Sequence, residues 1–234
     1  RHITLTPAGQ LFYRRCNQIL NLYDQTSKEV QGAATQILRF GLTSSNGYLI
    51  NHDHMDVFRK KYPKLDIHMK EGTTYEMMDA LLAHEIDIAL VRTPFDSTNV
   101  QSFLFKPEPM IAVGPPTLVN EKKNHLIDYR DDPVLIHRRY RQFIVDYCLN
   151  ELQFQPHIPI ITDDIRTALV WGSILDQVVI IPEAAIPYID LKSQTYTILK
   201  DKGLYTSAAF ITRKEELSPI IETFISLIIK DYKI

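Results

Sequence analysis

The segment Ile86-Asp87-Ile88-Ala89-Leu90-Val91 is six residues long, rich in β-branched side chains and apolar on both of its alternating faces. A strand of that kind must be covered above and below, which is the situation of a central strand in an α/β sheet rather than in a half-exposed antiparallel one. The chain before it fits. Ile37-Leu38-Arg39-Phe40-Gly41-Leu42 reads as a strand. A helix follows with Leu49, Met55, Phe58 and Tyr62 on its buried side, and Tyr62-Pro63 stops it. Leu65, Ile67 and Met69 alternate as a second strand, and Thr73 or Thr74 caps a helix carrying Met77, Met78, Leu81 and Leu82. The result is β-α-β-α-β, which predicts a parallel, doubly wound sheet with right-handed crossovers.

After Phe103-Leu104-Phe105 and Met110-Ile111-Ala112-Val113 the rhythm restarts. Val134 to Ile136, His157 to Ile161 and Val178 to Ile181 read as strands, separated by helices over Phe143 to Leu152 and Ile165 to Trp171. Thr195 to Leu199 and Ser207 to Thr212 are two later strands. Ile220, Ile221, Phe224, Leu227 and Ile228 form the apolar side of a terminal helix. The fold class is therefore α/β, with two Rossmann-like lobes hinged by a pair of crossing strands and a cleft expected between them at the carboxyl ends of the strands. The divisions expected are 1–36 for an N-terminal helical part, 37–110 with 213–234 for lobe I, and 111–212 for lobe II.

The N-terminal part has its own logic. Leu5-Thr6-Pro7-Ala8-Gly9 reads as the end of a strand followed by a helix start, with Thr6 as cap and Pro7 at the first helical position, where a missing N–H costs nothing. Phe12, Cys16, Ile19, Tyr23, Thr26 and Val30 then recur at spacings of four and three, the seam of a two-helix coiled coil. Such a stripe buries itself against a second copy or against the chain's own later domain; dimerisation is the more economical of the two. Arg1, Arg14, Arg15, Lys28 and Arg39 outweigh Asp24 and Glu29 here, so this end is basic and points to a nearby polyanion.

Composition narrows the function. Twenty-six Lys and Arg against 28 Asp and Glu give a net charge of -2, without the basic excess of a self-sufficient nucleic-acid binder. Cys16 and Cys148 are too few and too distant for a disulfide framework or a zinc site, and they fit a reduced, cytoplasmic setting as inert packing. His52-Asp53-His54 resembles a metal pair, but residues two apart on a helix diverge, so they are expected at the surface with no metal. The sequence shows no nucleophile elbow, Walker A loop or dinucleotide fingerprint, hence no cofactor and no enzyme. It has no apolar run long enough to span a bilayer and no secretory signal at its start.

Chemistry also marks candidate contacts. Thr43, Ser44, Ser45 and Asn46 follow the first strand where a helix is expected to begin, so N–H groups, hydroxyls and a helix dipole would converge on an anion; one of them may equally serve only as a cap. Arg92 follows the doubly apolar strand at the same edge, where a guanidinium grips a carboxylate by two parallel bonds, or else pairs with a surface acid. His137-Arg138-Arg139-Tyr140-Arg141 ends a strand of the second lobe. If it faces the cleft, the surplus positive charge favours a di- or tricarboxylate; otherwise it is a solvated basic turn. Asp163, Asp164, Ile165 and Arg166 open the next helix and either line the same cleft or simply cap the helix.

Leu5-Thr6-Pro7-Ala8-Gly9 and its long helix, then Arg39-Phe40-Gly41, the Ser/Thr turn, Tyr62-Pro63, Asp87-Ile88-Ala89 and Gly172 to Ile181-Pro182 together resemble a LysR-type transcriptional regulator over essentially the whole chain. The resemblance implies a type 2 periplasmic-binding-protein-like effector domain behind a wing remnant and a linker helix. It further implies a homo-oligomer built as a dimer of dimers, and promoter DNA bound through an N-terminal winged helix-turn-helix absent here. RNA polymerase is a further candidate partner. It also implies effector contacts at Ser45, Thr73 and Arg92. One departure is that Gly172 is followed by Ser173-Ile174-Leu175-Asp176-Gln177, where such proteins often carry Gly-x-Gly. The expected function is a regulator gated by a small organic acid held by Thr43, Ser44, Ser45, Asn46, Thr73, Arg92, Arg138, Asp164 and Ile165. The competing readings are a transporter's solute-binding protein, which should carry a secretion signal, and an enzyme on the same fold.

Overall fold

A computed structural model describes residues 4–30 and 36–232 of the chain. Arg1 and the Gly32-Ala33-Ala34-Thr35 spacer lie outside the described residues. Helix α1 runs Pro7–Val30. Its start is capped as the sequence requires: Thr6 Oγ1 accepts the Gly9 N–H at 3.1 Å, and Pro7 is the first helical residue. Leu5 is not in a strand. Of the apolar stripe of α1, Phe12, Ile19 and Tyr23 are exposed and Cys16 is half-buried. The Gln18 side-chain amide nevertheless donates to the Leu82 carbonyl.

Then come β1 (Ile37–Leu42), a short 3-10 helix (Ser44–Leu49), α2 (His52–Lys61), β2 (Asp66–Glu71), α3 (Thr74–Leu82), β3 (Ile88–Arg92), β4 (Val100–Leu104) and β5 (Glu108–Gly114). The second half supplies β6 (Val134–His137), α4 (Arg141–Asn150), β7 (Ile160–Thr162), α5 (Ile165–Ile174), β8 (Val178–Pro182), β9 (Thr195–Ile198), β10 (Tyr205–Thr206), β11 (Ala208–Arg213) and α6 (Pro219–Ile229).

The chain divides into two units. Unit 1 comprises Arg1–Thr43, Ile50–Phe105 and Ala209–Ile234, and unit 2 comprises Ser44–Leu49 and Lys106–Ala208. The crossings at 105/106 and 208/209 fall a few residues before the expected 110/111 and 212/213. Pairing explains both displacements: β5 is bonded to β8 and β9 of unit 2, whereas β11 is bonded to β4 of unit 1.

The unit 1 sheet has the order β2-β1-β3-β11-β4, with β1 parallel to both β2 and β3, and β4 antiparallel to β11. The unit 2 sheet has the order β10-β5-β8-β6-β7, with β9 also on β5. Here β6 is parallel to β7 and β8, while β5 is antiparallel to β8, β9 and β10. Both sheets are therefore mixed, which corrects the expectation of parallel sheets. Only strands linked by helical crossovers are parallel neighbours, because a parallel pair needs a long crossover and strands reached by loops do not.

Each core follows from residue alternation. In unit 2, Met110, Ala112, Val134, Ile136, Val178 and Ile180 pack on one face of the sheet, and Ile111, Val113, Leu135, Val179 and Ile181 on the other. Unit 1 sets Phe224 of α6 among Phe40, Phe58 and Phe210, with ring centroids 5.3, 5.0 and 5.8 Å away. Cys148 is fully buried in the first of the unit 2 clusters, and burial pushes its thiol up to about 12, so it is not a nucleophile at neutral pH.

Two local expectations change. The helix on the buried side of Leu49 to Tyr62 begins at His52, capped by the Asn51 side chain at the His54 N–H, and not at the hydroxyl-rich turn. His54, expected at the surface, is buried. Its Nε2 lies 2.7 Å from Asp231 Oδ2, and its Nδ1 accepts the Asn51 N–H at 3.3 Å. His52 is exposed beside Asp56. Among the described residues no cluster of His, Cys, Asp or Glu could hold a metal ion, and no helix is long and apolar enough to cross a membrane.

Candidate functional site: two polar strand edges

The carboxyl edge of the unit 1 sheet gathers several of the expected residues. Leu42 of β1 stands opposite Leu90 of β3, and the Thr43 N–H continues the ladder by donating to the Leu90 carbonyl at 3.2 Å. Arg92 is the last residue of β3, two residues beyond. Its backbone is held by Thr74: the Thr74 hydroxyl accepts the Arg92 N–H at 3.4 Å and reaches the Arg92 carbonyl at 3.5 Å. Thr74 in turn opens α3, and Thr73 caps it by a reciprocal box. Thr73 Oγ1 accepts the Glu76 N–H, and Glu76 Oε2 accepts the Thr73 N–H at 2.7 Å.

The Arg92 side chain is 1% exposed, so its charge is held out of bulk water. A guanidinium in that position is costly unless it is paired and hydrogen-bonded, and its electrostatic interactions are stronger than at a surface. Thr43 and Thr74 are buried as well. Thr43, Thr73 and Arg92 are thus brought to one sheet edge, with Thr74 as a member that sequence reasoning treated only as an alternative cap.

Unit 2 holds the remaining residues. Ser44, Ser45 and Asn46 begin the 3-10 helix, with Ser45 and Asn46 buried and Ser45 Oγ 3.4 Å from Asn46 Oδ1. Six residues of 3-10 helix supply much less dipole than the α-helix expected after this turn, so that part of the anion argument falls away. The segment is held by an edge-on contact of Tyr48 with Tyr188, centroids 4.9 Å apart. Gly47 makes room for this, because a Cβ there would lie 2.6 Å from the Tyr188 hydroxyl.

Asp164 caps α5 by accepting the Thr167 N–H at 2.9 Å, and it also takes a 2.9 Å bond from Arg166 Nη2. Burial raises its carboxyl, but Arg166, the Thr167 N–H and the Ser44 hydroxyl outweigh that and hold it below the usual carboxylate range. An ionised carboxylate bonded to Ser44 repels a second anion, so Asp164 positions the turn. The Ile165 side chain lies in the unit 2 core, because the first turn of α5 already presents its apolar face to the sheet, so it offers no side-chain contact at the edge.

Arg138 is exposed and grips Asp163 with two bonds, Nε to Oδ1 at 2.7 Å and Nη2 to Oδ2 at 3.1 Å. That pairing holds the Asp163 carboxyl below its usual range and offsets the charge of Arg138. The neighbouring His137 adds little positive charge. Burial, then the Arg139 guanidinium, lowers its imidazole below the usual value, and its ring bonds fit the neutral form: Nδ1 accepts the Arg139 N–H at 3.1 Å and Nε2 donates to the Asp163 carbonyl at 3.0 Å. Of the surplus charge expected on this strand edge, Arg138 is thus offset and His137 adds little.

The sign of the linkage for His137 follows. The unfolded chain takes up the proton first as pH falls, so the stability of unit 2 is full above the ordinary imidazole value of 6.5 and declines below it. Melting curves from about pH 8 to about pH 5 should fall less steeply for His137→Gln than for the parent chain.

A depression of about 400 Å³ lies beside the edge strand β2, lined by Arg59, Leu65, Asp66, Ile67 and His68, and it includes none of the expected contacts. Gly172, where the sequence departs from Gly-x-Gly, is required by packing: a Cβ there would come within 2.2 Å of Val179 Cγ2.

Two α/β units through which the chain passes repeatedly, each ending its strands in polar residues, define the effector-binding class of periplasmic-binding-protein-like folds. The LysR substrate binding domain matches residues 31–233, and the chain belongs to that family. Among curated relatives, the HTH-type transcriptional regulator AlsR of Bacillus subtilis (strain 168) is 23% identical over 97% of this chain and 78% of its own length. CatR of Pseudomonas putida is 25% identical over 97% of this chain and 81% of its own. Among solved structures, the BenM effector binding domain with its effector benzoate has a TM-score of 0.73 at 18% identity, covering 86% of this chain and 93% of that one. Full-length CbnR complexed with its target DNA has a TM-score of 0.70 at 17% identity, covering 99% of this chain and 83% of that one. The relatives are DNA-binding transcription regulators and not enzymes, and they lend no support to a transporter's binding protein.

Proposed function

We propose that this chain is the effector-sensing and oligomerising part of a transcription regulator, and that its effector is a small organic acid anchored through Arg92. The observation that carries this reading is an arginine side chain withdrawn from bulk water at the carboxyl edge of the unit 1 sheet, the edge to which Thr43 and Thr73 also belong. A carboxylate is the ligand that matches its fork with two parallel bonds. A single guanidinium at this edge matches one carboxylate, so we favour a monocarboxylate over the di- or tricarboxylate suggested by the basic sequence. The benzoate of the BenM domain is an acid of that kind.

Gating needs an acid that binds one arrangement of the assembly better than another, with a coupling of about 1–3 kcal/mol. A dimer of dimers working on promoter DNA in the cytoplasm is the setting this implies. Titration calorimetry with a panel of mono-, di- and tricarboxylic acids tests the proposal. Saturable, exothermic binding of a monocarboxylate is expected. No binding across the panel, or clear preference for a tricarboxylate, would overturn it.

A further inference from the structure

Helix α3 is fastened at both ends to elements outside it. At its start, the Thr74 hydroxyl bonds the Arg92 backbone, 3.4 Å from the N–H and 3.5 Å from the carbonyl. At its finish the last four carbonyls, which helical N–H groups do not reach, each have a partner. Asp79 accepts the Ala83 N–H at 2.9 Å, Ala80 the Glu85 N–H at 2.9 Å, and Leu81 the Arg213 Nη1 at 3.1 Å. Leu82, the final residue, is served by α1, because the Gln18 side-chain amide donates to its carbonyl. Gln18 is set for this by Arg15, whose Nη1 donates to Gln18 Oε1 at 2.9 Å. Gln18 and Leu82 are 64 residues apart, so the bond ties α1 to the body of unit 1.

Between the two attachments lies one short helix, about 12 Å from Thr74 to Leu82. The reciprocal box of Thr73 and Glu76 closes its N-terminus, and Met77, Ala80 and Leu81 are packed into the unit 1 core. A capped and buried helix of this length moves as one body, and rigid elements of that kind carry coupling between sites.

We propose that α3 is the connection through which the Arg92 edge sets the seating of α1, with Thr74 and Gln18 as the positioning residues at its two ends. A ligand that engages the Arg92 guanidinium acts on Thr74 through the backbone of the same residue. The helix follows, and the Leu82 carbonyl shifts against Gln18. The nature of the stimulus rests on the reading of Arg92 as the anchor of an acid; the link along α3 does not. Coupling is reciprocal, so loosening α1 at Gln18 alters the Arg92 end by the same factor.

Hydrogen exchange of residues 12–20 in the full chain, with no acid present, reads the seating of α1. Gln18→Ala should speed exchange there several-fold. Thr74→Val removes the hydroxyl at the far end of α3 and keeps the shape; it should do the same, and Thr74→Ser should restore the parent rate. The double variant should exchange like Gln18→Ala alone, because the bond through which the Thr74 change acts is already gone. If Thr74→Val does not fold, the reverse direction decides: the Arg92 amide should exchange faster in Gln18→Ala than in the parent chain. Parent rates in α1 for either single variant, effects that simply multiply in the double variant, or an Arg92 amide untouched by Gln18→Ala would each overturn the proposal. The tightest-binding monocarboxylate of the calorimetric panel should bind Gln18→Ala with an affinity changed several-fold, and an unchanged affinity would also overturn it. Absence of binding across the panel counts against the acid reading of Arg92 alone, since the acid-free arms decide the link by themselves.

Discussion

Arg92→Ala is expected to lower the affinity of the chain for the proposed acid effector by about 30- to several-thousand-fold, the 2–5 kcal/mol typical of truncating one partner of a buried charged pair. The strand itself should survive. Arg92 is held through its backbone by the Thr74 hydroxyl, and neither of those bonds involves the guanidinium. The variant should also melt at a lower temperature, because groups that now satisfy the buried guanidinium lose their partner. Arg92→Lys separates charge from geometry: it keeps the cation but not the fork, so it should bind more weakly than the parent and more tightly than Arg92→Ala. Calorimetry beside a thermal melt gives both readings. A folded Arg92→Ala chain with unchanged affinity would remove the proposed anchor while leaving the family assignment intact.

Phe224→Ala is expected to cost about 3–5 kcal/mol of unfolding free energy, the range for removing a fully buried phenylalanine. Phe224 is 2% exposed, and its ring meets Phe40 of β1, Phe58 of α2 and Phe210 of β11. The substitution opens a cavity where α6 closes over unit 1, and three rings lose edge contacts at once. Urea unfolding followed by circular dichroism should show a lower midpoint, with the slope unchanged if the unfolded state is not altered. Trp171 belongs to unit 2, so its fluorescence follows that unit separately. A loss below about 1 kcal/mol would mean that the aromatic cluster repacks around the gap.

The crossover strands and their helices were legible because two periodicities, two for strands and near four for helices, are written locally. Thr6-Pro7 was legible as a cap for the same reason, and Thr73 as one of two candidates, since each is a short-range pattern. The antiparallel strands were not. Apolar alternation in Met110 to Val113 or Ala208 to Thr212 is the same whichever way the neighbour runs, and direction is decided by partners far along the chain. The side-chain partners that the sequence did not show share a cause. Ile165 and Arg138 sit where a chemist would place contacts, but Ile165 is drawn into the core and Arg138 is captured by Asp163, 25 residues away. His54 finds Asp231 across 177 residues, a distance no local pattern encodes. Arg92 was legible because a strand apolar on both faces leaves its next residue only one place to be, the edge of the sheet.

The division of the chain also bears on how the protein is made. β11 lies between β3 and β4 in the unit 1 sheet, and α6 covers Phe40 and Phe58, yet both are synthesised only after nearly all of unit 2. During translation the first four strands emerge with a gap between β3 and β4 that nothing yet fills. The second unit, nearly contiguous from Lys106 to Ala208, can settle on the ribosome while the first waits for its closing pieces. A nascent chain stalled before residue 208 would thus display an unpaired sheet edge, and quality-control proteases should distinguish it from the finished chain by that edge.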